Sequence, residues 1–216
     1  MSERSEELDA LVAAVEAALD DPGLADEPAM VDAMRPAMAA LLSADGSVPE
    51  AACEPLPDWN AVGNLLYSDS DGRFHVLAVV FPEGTSSGVH HHGCWGLIGY
   101  LRGGDEETRY RCLEDSGDRA ELEEESRQVW HQGDITALLP EAGAASVAER
   151  SGCWHRVRNP GPGTGVSIHV LCLTPPDHPH RYWDKATGAV HPFPFVEAAP
   201  DRWRAEVTFP SGSQSF

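Results

Sequence analysis

Three consecutive histidines, His90, His91 and His92, stand in the segment GVHHHGCWGLIGYLRG at residues 88–103. Side chains alternate between the two faces of a β-strand, so His90 and His92 share one face while His91 points the opposite way. An H-x-H pair on a strand that lines a barrel can supply two ligands to one metal ion. A solvated loop of three histidines is the alternative interpretation of this segment.

Two histidines further along the chain can complete such a site. His155, in CWHRVRN, lies on a strand-like run and can close the site from across a barrel. His169, in SIHVL, is a fourth candidate that we expect to point inward. The remaining histidines are expected to be surface or hydrogen-bonded residues: His75, His131, His178, His180 and His191.

The elements that must position these histidines are strands. From about Ala61 the sequence VGNLLYSDSDGRFHVLAVVFPEG holds two β-rich runs joined by the turn signal SDSDG. Further strand-like runs follow, separated by Gly, Pro and Asp clusters, in GCWGLIGYL, ETRYRCLE, SRQVWHQGDITALLP, CWHRVRN and GVSIHVLCLT. No helical pattern intervenes, which predicts an antiparallel sandwich or barrel.

The first sixty residues show helical patterns instead of strand-like ones. Leu8, Leu11, Val12 and Val15 recur at helical spacing, and a second helical pattern runs from about residue 27 to 42. Pro36 should kink or split this second helix. Its stripe of methionines favours core packing over a cofactor site. We therefore expect a helical segment at residues 1–60 packed on a barrel at 61–196, with a C-terminal tail at 197–216.

Composition limits the function classes. The chain has 216 residues and a formal charge of −20, which argues against nucleic acid and anionic membrane as partners. The amino terminus shows no secretory signal, and no run is long enough to span a bilayer. The five cysteines are scattered and lack C-x-x-C spacing, which disfavours a disulfide scaffold or a zinc knuckle. These features predict a cytoplasmic protein with reduced cysteines.

In the order of its motifs the sequence resembles the cupin-fold thiol dioxygenases. SSGVHHHGCWGLIGYLRG, then GDI, HRVRN, SIHV and RYWDKATG are similar to the bacterial cysteine dioxygenase and mercaptopropionate dioxygenase group. The similarity extends from about Asn64 to Pro192. It implies a mainly-β cupin jelly-roll barrel. It also implies a mononuclear non-haem Fe(II) held by His90, His92 and His155.

The chemistry of the ligand set is consistent with iron. Many cupins add a carboxylate ligand after H-x-H, but the sequence has no Asp or Glu between Gly93 and Gly104. Three neutral imidazoles leave the metal dipositive, with open positions for a substrate thiolate and O2. Zinc also accepts three histidines but performs no redox chemistry.

This sequence departs from the family at two supporting positions. Animal-type enzymes carry a Ser-His-Tyr line on one strand, and here the line is Ser167, His169 and Leu171. Ser167 and His169 are predicted to form a hydrogen-bonded pair that orients substrate or oxygen. The missing hydroxyl can come from Tyr100, Tyr110 or Tyr182. The family's crosslinking cysteine corresponds to Gly96, and Cys94 is offset by two, so a thioether cofactor is not expected.

The substrate-binding candidates are Asn64, Trp95 and Arg181. Asn64 stands near the position of an arginine that pairs with the substrate carboxylate in cysteine-specific enzymes, and a neutral amide cannot make that pair. Arg181 aligns loosely with another family arginine, and a surface salt bridge is its alternative role. Strict alternation turns Trp95 away from the metal, although the adjacent glycines can break that alternation.

The sequence thus predicts oxidation of a small thiol to its sulfinate by O2. The substrate is expected to be a mercapto-acid or a thiol-imidazole such as ergothioneine and not plain cysteine. Two rival functions remain open. One is another metal-dependent cupin reaction, such as C–C cleavage or isomerisation. The other is a non-catalytic cupin that binds a small molecule.

Overall fold

The computed structural model describes residues 4–24, 26–56, 60–139, 154–172, 180–192, 195–199 and 201–205. The chain begins with two helices, α1 (Glu6–Asp20) and α2 (Glu27–Ser43), each capped by a side-chain oxygen that accepts a backbone N–H. The caps are Ser5 for α1 and Asp26 for α2. A 3-10 turn at Glu50–Ala52 leads toward the sheets.

The sequence predicted that Pro36 would kink or split the second helix. The helix α2 continues through Pro36 and is not split there. Pro36 lies on the exposed side of the helix, where water can satisfy the carbonyl that loses its partner. Met34 and Met38 lie on the opposite, buried side and anchor the helix in the core. The methionine stripe is therefore core packing, as predicted.

Thirteen strands form two antiparallel sheets across the described residues. The larger sheet has the strand order β12-β13-β1-β2-β9-β4-β7, and the smaller has β11-β10-β3-β8-β5-β6. The strands are β1 (Val62–Ser68), β2 (Phe74–Phe81), β3 (Val89–His91), β4 (Gly96–Arg102), β5 (Glu106–Asp115), β6 (Ala120–Val129), β7 (Ile135–Leu138), β8 (Trp154–Arg158), β9 (Gly165–Cys172), β10 (Arg181–Trp183), β11 (Val190–Pro192), β12 (Phe195–Ala199) and β13 (Arg202–Ala205).

The larger sheet has one face toward the helices and one toward the smaller sheet. Ala78 and Ile168 lie opposite each other on β2 and β9 and belong to the core formed with the helices. The next row, Leu77 with His169, projects from the other face because successive side chains alternate. We call that second face the inner face of this sheet.

The inner face of the smaller sheet carries His90, His155 and Arg109, which are direct cross-strand partners on β3, β8 and β5. Arg109 reaches across to the larger sheet and donates to Thr136 Oγ1 at 3.1 Å. The inner faces of the two sheets therefore meet. The mainly-β jelly-roll architecture with N-terminal helices is confirmed.

The strands β12 and β13 extend into residues 197–216, for which the sequence predicted a polar tail. The strands β12 and β13 pair with each other, and β13 pairs with β1. The first strand would otherwise be an edge with unpaired backbone groups, and the C-terminal hairpin covers it.

The expectation of reduced cysteines also requires correction, because Cys94 and Cys172 form a disulfide with a Cα–Cα distance of 6.0 Å. Cys94 follows β3 and Cys172 ends β9, so strand packing brings together residues 78 positions apart. Cys53 and Cys112 lie outside this bridge. No helix in the described part of the chain is long and apolar enough to cross a membrane.

Candidate metal centre

The three histidines predicted as ligands converge inside the barrel. The Nε2 atoms of His90 and His92 lie 2.9 Å apart, and those of His92 and His155 lie 3.1 Å apart. All three side chains are buried. Among the described residues they form the group of potential metal ligands whose donor atoms all lie within 4.8 Å of one another.

The middle histidine is separated from this group by strand alternation. The His91 ring packs against the Trp154 ring with 5.1 Å between centroids. Trp154 belongs to an apolar cluster on the outer face of the smaller sheet, together with Tyr110 and Trp183. The division into two inward histidines and one outward histidine thus follows the predicted pattern.

The hydrogen bonds of two ligand candidates fix which ring nitrogen is available. His90 Nδ1 lies 3.2 Å from the Gly88 carbonyl oxygen, which can only accept, so Nδ1 carries the proton. His155 Nδ1 lies 2.9 Å from Glu107 Oε1. A carboxylate also only accepts, so the His155 proton is on Nδ1 as well. In both rings the lone pair of Nε2 is directed toward His92.

The electrostatics favour neutral imidazoles. Burial, followed by the nearby His155, holds the pKa of His90 well below its ordinary value. Burial and the nearby His90 do the same to the pKa of His92. Metal coordination requires the neutral ring, so an incoming cation does not have to compete with a positive charge on these histidines.

The spacing of the nitrogens fits a divalent ion. Nitrogens bound at right angles to an ion, each at a metal–nitrogen distance of about 2.0–2.1 Å, are separated by about 2.8–3.0 Å. The two distances between Nε2 atoms, 2.9 and 3.1 Å, are close to this range. Two buried lone pairs directed at a third imidazole nitrogen are an arrangement that a cation stabilises. The site can therefore hold a metal through His90, His92 and His155.

Sequence reasoning missed Glu107, which supports this site from behind His155. Its Oε1 accepts from His155, and its Oε2 accepts from Trp130 Nε1 at 3.0 Å and from Arg109 Nη2 at 3.2 Å. Burial alone would raise the pKa of Glu107, but its contacts with His155, Arg109 and Trp130 outweigh burial and lower the pKa to about 2. Glu107 is therefore an ionised carboxylate in contact with a ligand candidate.

The pair predicted to support the site is present on β9. Ser167 Oγ and His169 Nε2 are hydrogen-bonded at 2.9 Å, and both side chains are buried. Burial, followed by the nearby His155, lowers the pKa of His169 to about 3, so the ring is neutral. His169 shares the inner face with Leu77 and Ile98. The pair thus lies on the wall of the larger sheet that faces the smaller one.

Two of the three tyrosines named as replacements occupy inner-face positions. Tyr100 is the cross-strand partner of Ser167, and Tyr182 is the partner of His90. The Tyr182 ring lies against Gly88, where an added Cβ would come within 2.6 Å of Cζ. Tyr110 is on the outer face, in the cluster with Trp154. Of the three tyrosines, Tyr100 and Tyr182 therefore share the inner faces with the histidines, and Tyr110 does not.

The positions of the family's thioether residues face each other without a crosslink. Gly96 is the cross-strand partner of Leu171. A Cβ on Gly96 would lie 2.7 Å from Leu171 Cδ2, so the leucine side chain occupies the space in front of the glycine. No bond of the Cys–Tyr kind can form between these two residue types.

The structure does not bring Asn64 to the histidines. Asn64 pairs with Ala78 on the helix-facing side of the sheet, and its Nδ2 donates to the Ala52 carbonyl at 2.8 Å. Its Oδ1 accepts from the guanidinium of Arg202 on β13. These bonds join the N-terminal segment to the C-terminal hairpin.

The other two pocket candidates also have partners outside the barrel interior. Trp95 packs in the core between the larger sheet and the helices, on the side that strict alternation predicts. Arg181 forms a two-pronged pair with Asp115 at 3.1 and 2.6 Å, and its guanidinium lies over the Trp154 ring. The salt-bridge interpretation of Arg181 matches this arrangement.

Two facing antiparallel sheets with three converging imidazoles on the inner face define a jelly-roll barrel with a candidate metal centre. No protein-family model matches the sequence. Solved structures similar to the chain include a protein with a double-stranded β-helix domain from Klebsiella pneumoniae, at 14% identity and TM-score 0.42, over 61% of this chain and 86% of that one. A cupin superfamily protein from Desulfitobacterium hafniense is 12% identical, with TM-score 0.40, over 61% and 94%. A recombinant oxalate oxidase in complex with glycolate is 15% identical, with TM-score 0.42, over 61% and 60%.

Proposed function

We propose that this protein is a non-haem iron thiol dioxygenase. The reaction is RSH + O2 → RSO2H, in which both atoms of O2 are added to the sulfur of a small thiol. The observation that carries the proposal is the all-nitrogen donor set of His90, His92 and His155, which includes no carboxylate among the described residues.

The charge of this donor set favours a thiol substrate. Three neutral imidazoles leave a bound divalent ion with its full charge, and a thiolate is an anion that can neutralise part of it. The neighbouring carboxylate of Glu107 is engaged by His155, Trp130 and Arg109. When bound, Fe(II) supplies the one-electron redox chemistry that a reaction between a singlet thiolate and triplet O2 requires.

The residues of the chain have separate tasks in this proposal. Glu107 holds the His155 ring in one orientation and keeps its proton on Nδ1. The Ser167–His169 pair provides a fixed polar edge on the facing wall, suited to orienting a bound thiol or oxygen. Tyr100, the cross-strand partner of Ser167, is the nearest phenol to that pair along the sheet.

The placement of the pocket candidates bears on the substrate. Asn64 faces the helices and Arg181 is paired with Asp115, so neither offers an unpaired cation for the carboxylate of cysteine. A mercapto-acid carries a carboxylate too, so of the two substrate classes expected in preference to cysteine, a mercapto-acid or a thiol-imidazole, this placement favours the thiol-imidazole.

The proposal is tested on protein purified without oxygen and loaded with Fe(II). We expect O2 uptake that depends on a thiol, equimolar with the thiol consumed, and a sulfinate product detected by mass spectrometry. The panel should contain 3-mercaptopropionate, cysteine and a thiol-imidazole, with the zinc-loaded protein as an inactive control. If the iron-loaded protein consumes no O2 with any thiol in the panel, the proposed reaction is wrong. Turnover of a non-thiol substrate by the same protein would then favour another cupin reaction.

A further inference from the structure

The disulfide between Cys94 and Cys172 connects two segments that build the candidate metal centre. Cys94 lies two residues after the ligand candidate His92, and Cys172 ends the strand that carries Ser167 and His169. Their Cα–Cα distance of 6.0 Å lies within the range of about 4.4–6.8 Å usual for disulfides. The bridge thus links the segment between β3 and β4, which follows His92, to the neighbouring strand β9 that carries Ser167 and His169.

The two cysteines differ in exposure. Cys94 is buried, at 6% of its full exposure, whereas Cys172 is half-buried. An attacking thiolate must approach a sulfur along the axis of the S–S bond, and we infer that it does so at the more exposed residue. Cys172 is therefore the point of attack and Cys94 the leaving group.

The segment around the bridge has other contacts that keep the fold when the bridge opens. The Cys172 backbone N–H donates to the Trp95 carbonyl at 3.3 Å, and the Trp95 ring is packed in the core with the helices. Opening the bridge removes a covalent restraint on Gly93 and Cys94 while these neighbours remain fixed. The change is therefore local to the loop that follows His92.

We propose that Cys94 and Cys172 are a redox-active pair that exchanges with small thiols and changes the restraint on the loop of the ligand His92. A thiolate RS⁻ attacks Cys172 Sγ, so that an RS–S bond forms and the S–S bond to Cys94 breaks. Cys94 leaves as a thiolate and takes up the proton that the thiol has lost. A second thiol attacks the mixed disulfide and releases RSSR, and Cys172 takes up the second proton.

The sum of these steps is protein disulfide + 2 RSH → protein dithiol + RSSR. The protein disulfide gains two electrons, and the two thiols lose them. The reverse reaction with RSSR restores the bridge, so no other oxidant is required. The exchange itself is independent of the proposed dioxygenase reaction. Its consequence for turnover rests on that proposed function.

The exchange is tested by alkylating the full-length protein before and after treatment with 3-mercaptopropionate, then mapping the labelled cysteines by mass spectrometry. We expect Cys94 and Cys172 to become labelled only after the treatment, and to be protected again by the corresponding disulfide. The variant Cys112→Ser should behave like the wild type. After treatment with the corresponding disulfide RSSR, the variant Cys94→Ser should carry a mixed disulfide on Cys172, with release of RSH, because it has no Cys94 thiol to displace the bound RS group. Full labelling of both residues after treatment with the disulfide, or protection that persists in excess thiol, would overturn the proposal.

The effect of the disulfide on the candidate metal centre is measured separately, as the rate at which a chelator removes bound iron. We expect removal to be severalfold faster from the reduced protein than from the oxidised protein, and insensitive to redox state in the double variant Cys94→Ser/Cys172→Ser. Equal rates in the two states of the wild type would overturn this link. If no thiol supports O2 uptake but the labelling follows expectation, the dioxygenase proposal fails and the redox pair stands. If O2 uptake depends on a thiol but the labelling pattern does not appear, the redox pair fails and the dioxygenase proposal stands.

Discussion

His155 Nδ1 donates to Glu107 Oε1 at 2.9 Å, and both side chains are 1% exposed. The bond joins a ligand candidate to an ionised carboxylate, which is the arrangement that fixes the tautomer and orientation of many metal-bound histidines. Glu107 is itself fixed by Trp130 and Arg109. The candidate metal centre is therefore contacted by residues of β5 and of the segment after β6, as well as being built on the strands that carry the three histidines.

The first prediction concerns Glu107. The variant Glu107→Gln replaces one acceptor oxygen by a donor, so either His155 or Trp130 and Arg109 lose their partner. We expect a fall in metal affinity of roughly 10–100-fold, measured by competition with a chelator. The variant Glu107→Asp should recover part of the affinity. Glu123→Gln, which alters an exposed pair with Arg111, is the control and should bind metal like the wild type. Equal affinity in Glu107→Gln and the wild type would show that the carboxylate does not support the site.

The second prediction concerns Arg181 and Asp115. Their side chains are 18% and 15% exposed, so loss of either partner leaves a largely buried charge. We expect Arg181→Gln and Asp115→Asn each to lower the free energy of unfolding by about 1–3 kcal/mol. The loss in the double variant should be smaller than the sum of the two single losses.

Kinetics separate this structural role of Arg181 from substrate binding. Both variants should keep the KM for an acidic thiol unchanged. An increase in KM for Arg181→Gln, but not for Asp115→Asn, would instead indicate that Arg181 binds the substrate carboxylate.

The third prediction concerns the close approach of Tyr182 to Gly88. Gly88 and Gly84 both have positive φ, 68° and 75°, but an added Cβ meets Tyr182 only at Gly88, and at Gly84 it meets nothing within 4 Å. Gly84→Ala should cost about 1–2 kcal/mol from backbone strain alone. Gly88→Ala should cost about 1–3 kcal/mol more, because the tyrosine ring must move. Denaturant unfolding measures both variants, and equal losses would contradict the packing of Tyr182 against Gly88.

The fourth prediction concerns the pH dependence of stability. Burial raises the pKa of Asp105 to about 7, and its Oδ1 has no hydrogen-bond partner among the described residues. The folded pKa is above the unfolded value of about 3.9, so folding favours the protonated form. Below about pH 4 the Asp105 carboxyl is protonated in both the folded and the unfolded state, so its burial in the neutral form is fully favourable. As the pH rises from there through 7, this contribution to the free energy of unfolding is lost, up to a limit on the order of 4 kcal/mol.

Asp105→Asn tests this assignment, because the amide carries no charge at any of these pH values. The stability lost between pH 5 and pH 8 should be smaller in Asp105→Asn than in the wild type. The exposed Asp45→Asn is the control and should follow the wild type. A variant that loses as much stability as the wild type over this range would refute the role of Asp105.

The inward placement of His90 and His92 could be predicted from sequence because the signal was local. Alternation on one short strand separates His90 and His92 from His91 without knowledge of the fold. Ser167 and His169 follow the same rule on β9. The position of Trp95 on the helix side also follows from strict alternation along β4 and the residue before it.

Features that depend on pairing between distant strands could not be predicted. Glu107 meets His155 because β5 and β8 pair in a particular register, and nothing within ETRYRCLE signals that contact. The face of Asn64 depends on the count along β1, where a shift of one residue exchanges inside for outside. Cys94 and Cys172 are 78 positions apart in the sequence, and only the packing of the strands brings them together. The salt bridge between Arg181 and Asp115 likewise joins two strands that are distant in the sequence.

The central claim is that the protein, with Fe(II) held by His90, His92 and His155, adds both atoms of O2 to the sulfur of a thiol. Its most direct test is the mass of the product formed by iron-loaded protein under ¹⁸O2 in ordinary water. We predict a sulfinate that carries two ¹⁸O atoms, formed by the wild type and by His131→Ala, whose histidine is exposed, but not by His155→Ala. A product with one or no ¹⁸O atom, or an unchanged yield from His155→Ala, would contradict the claim.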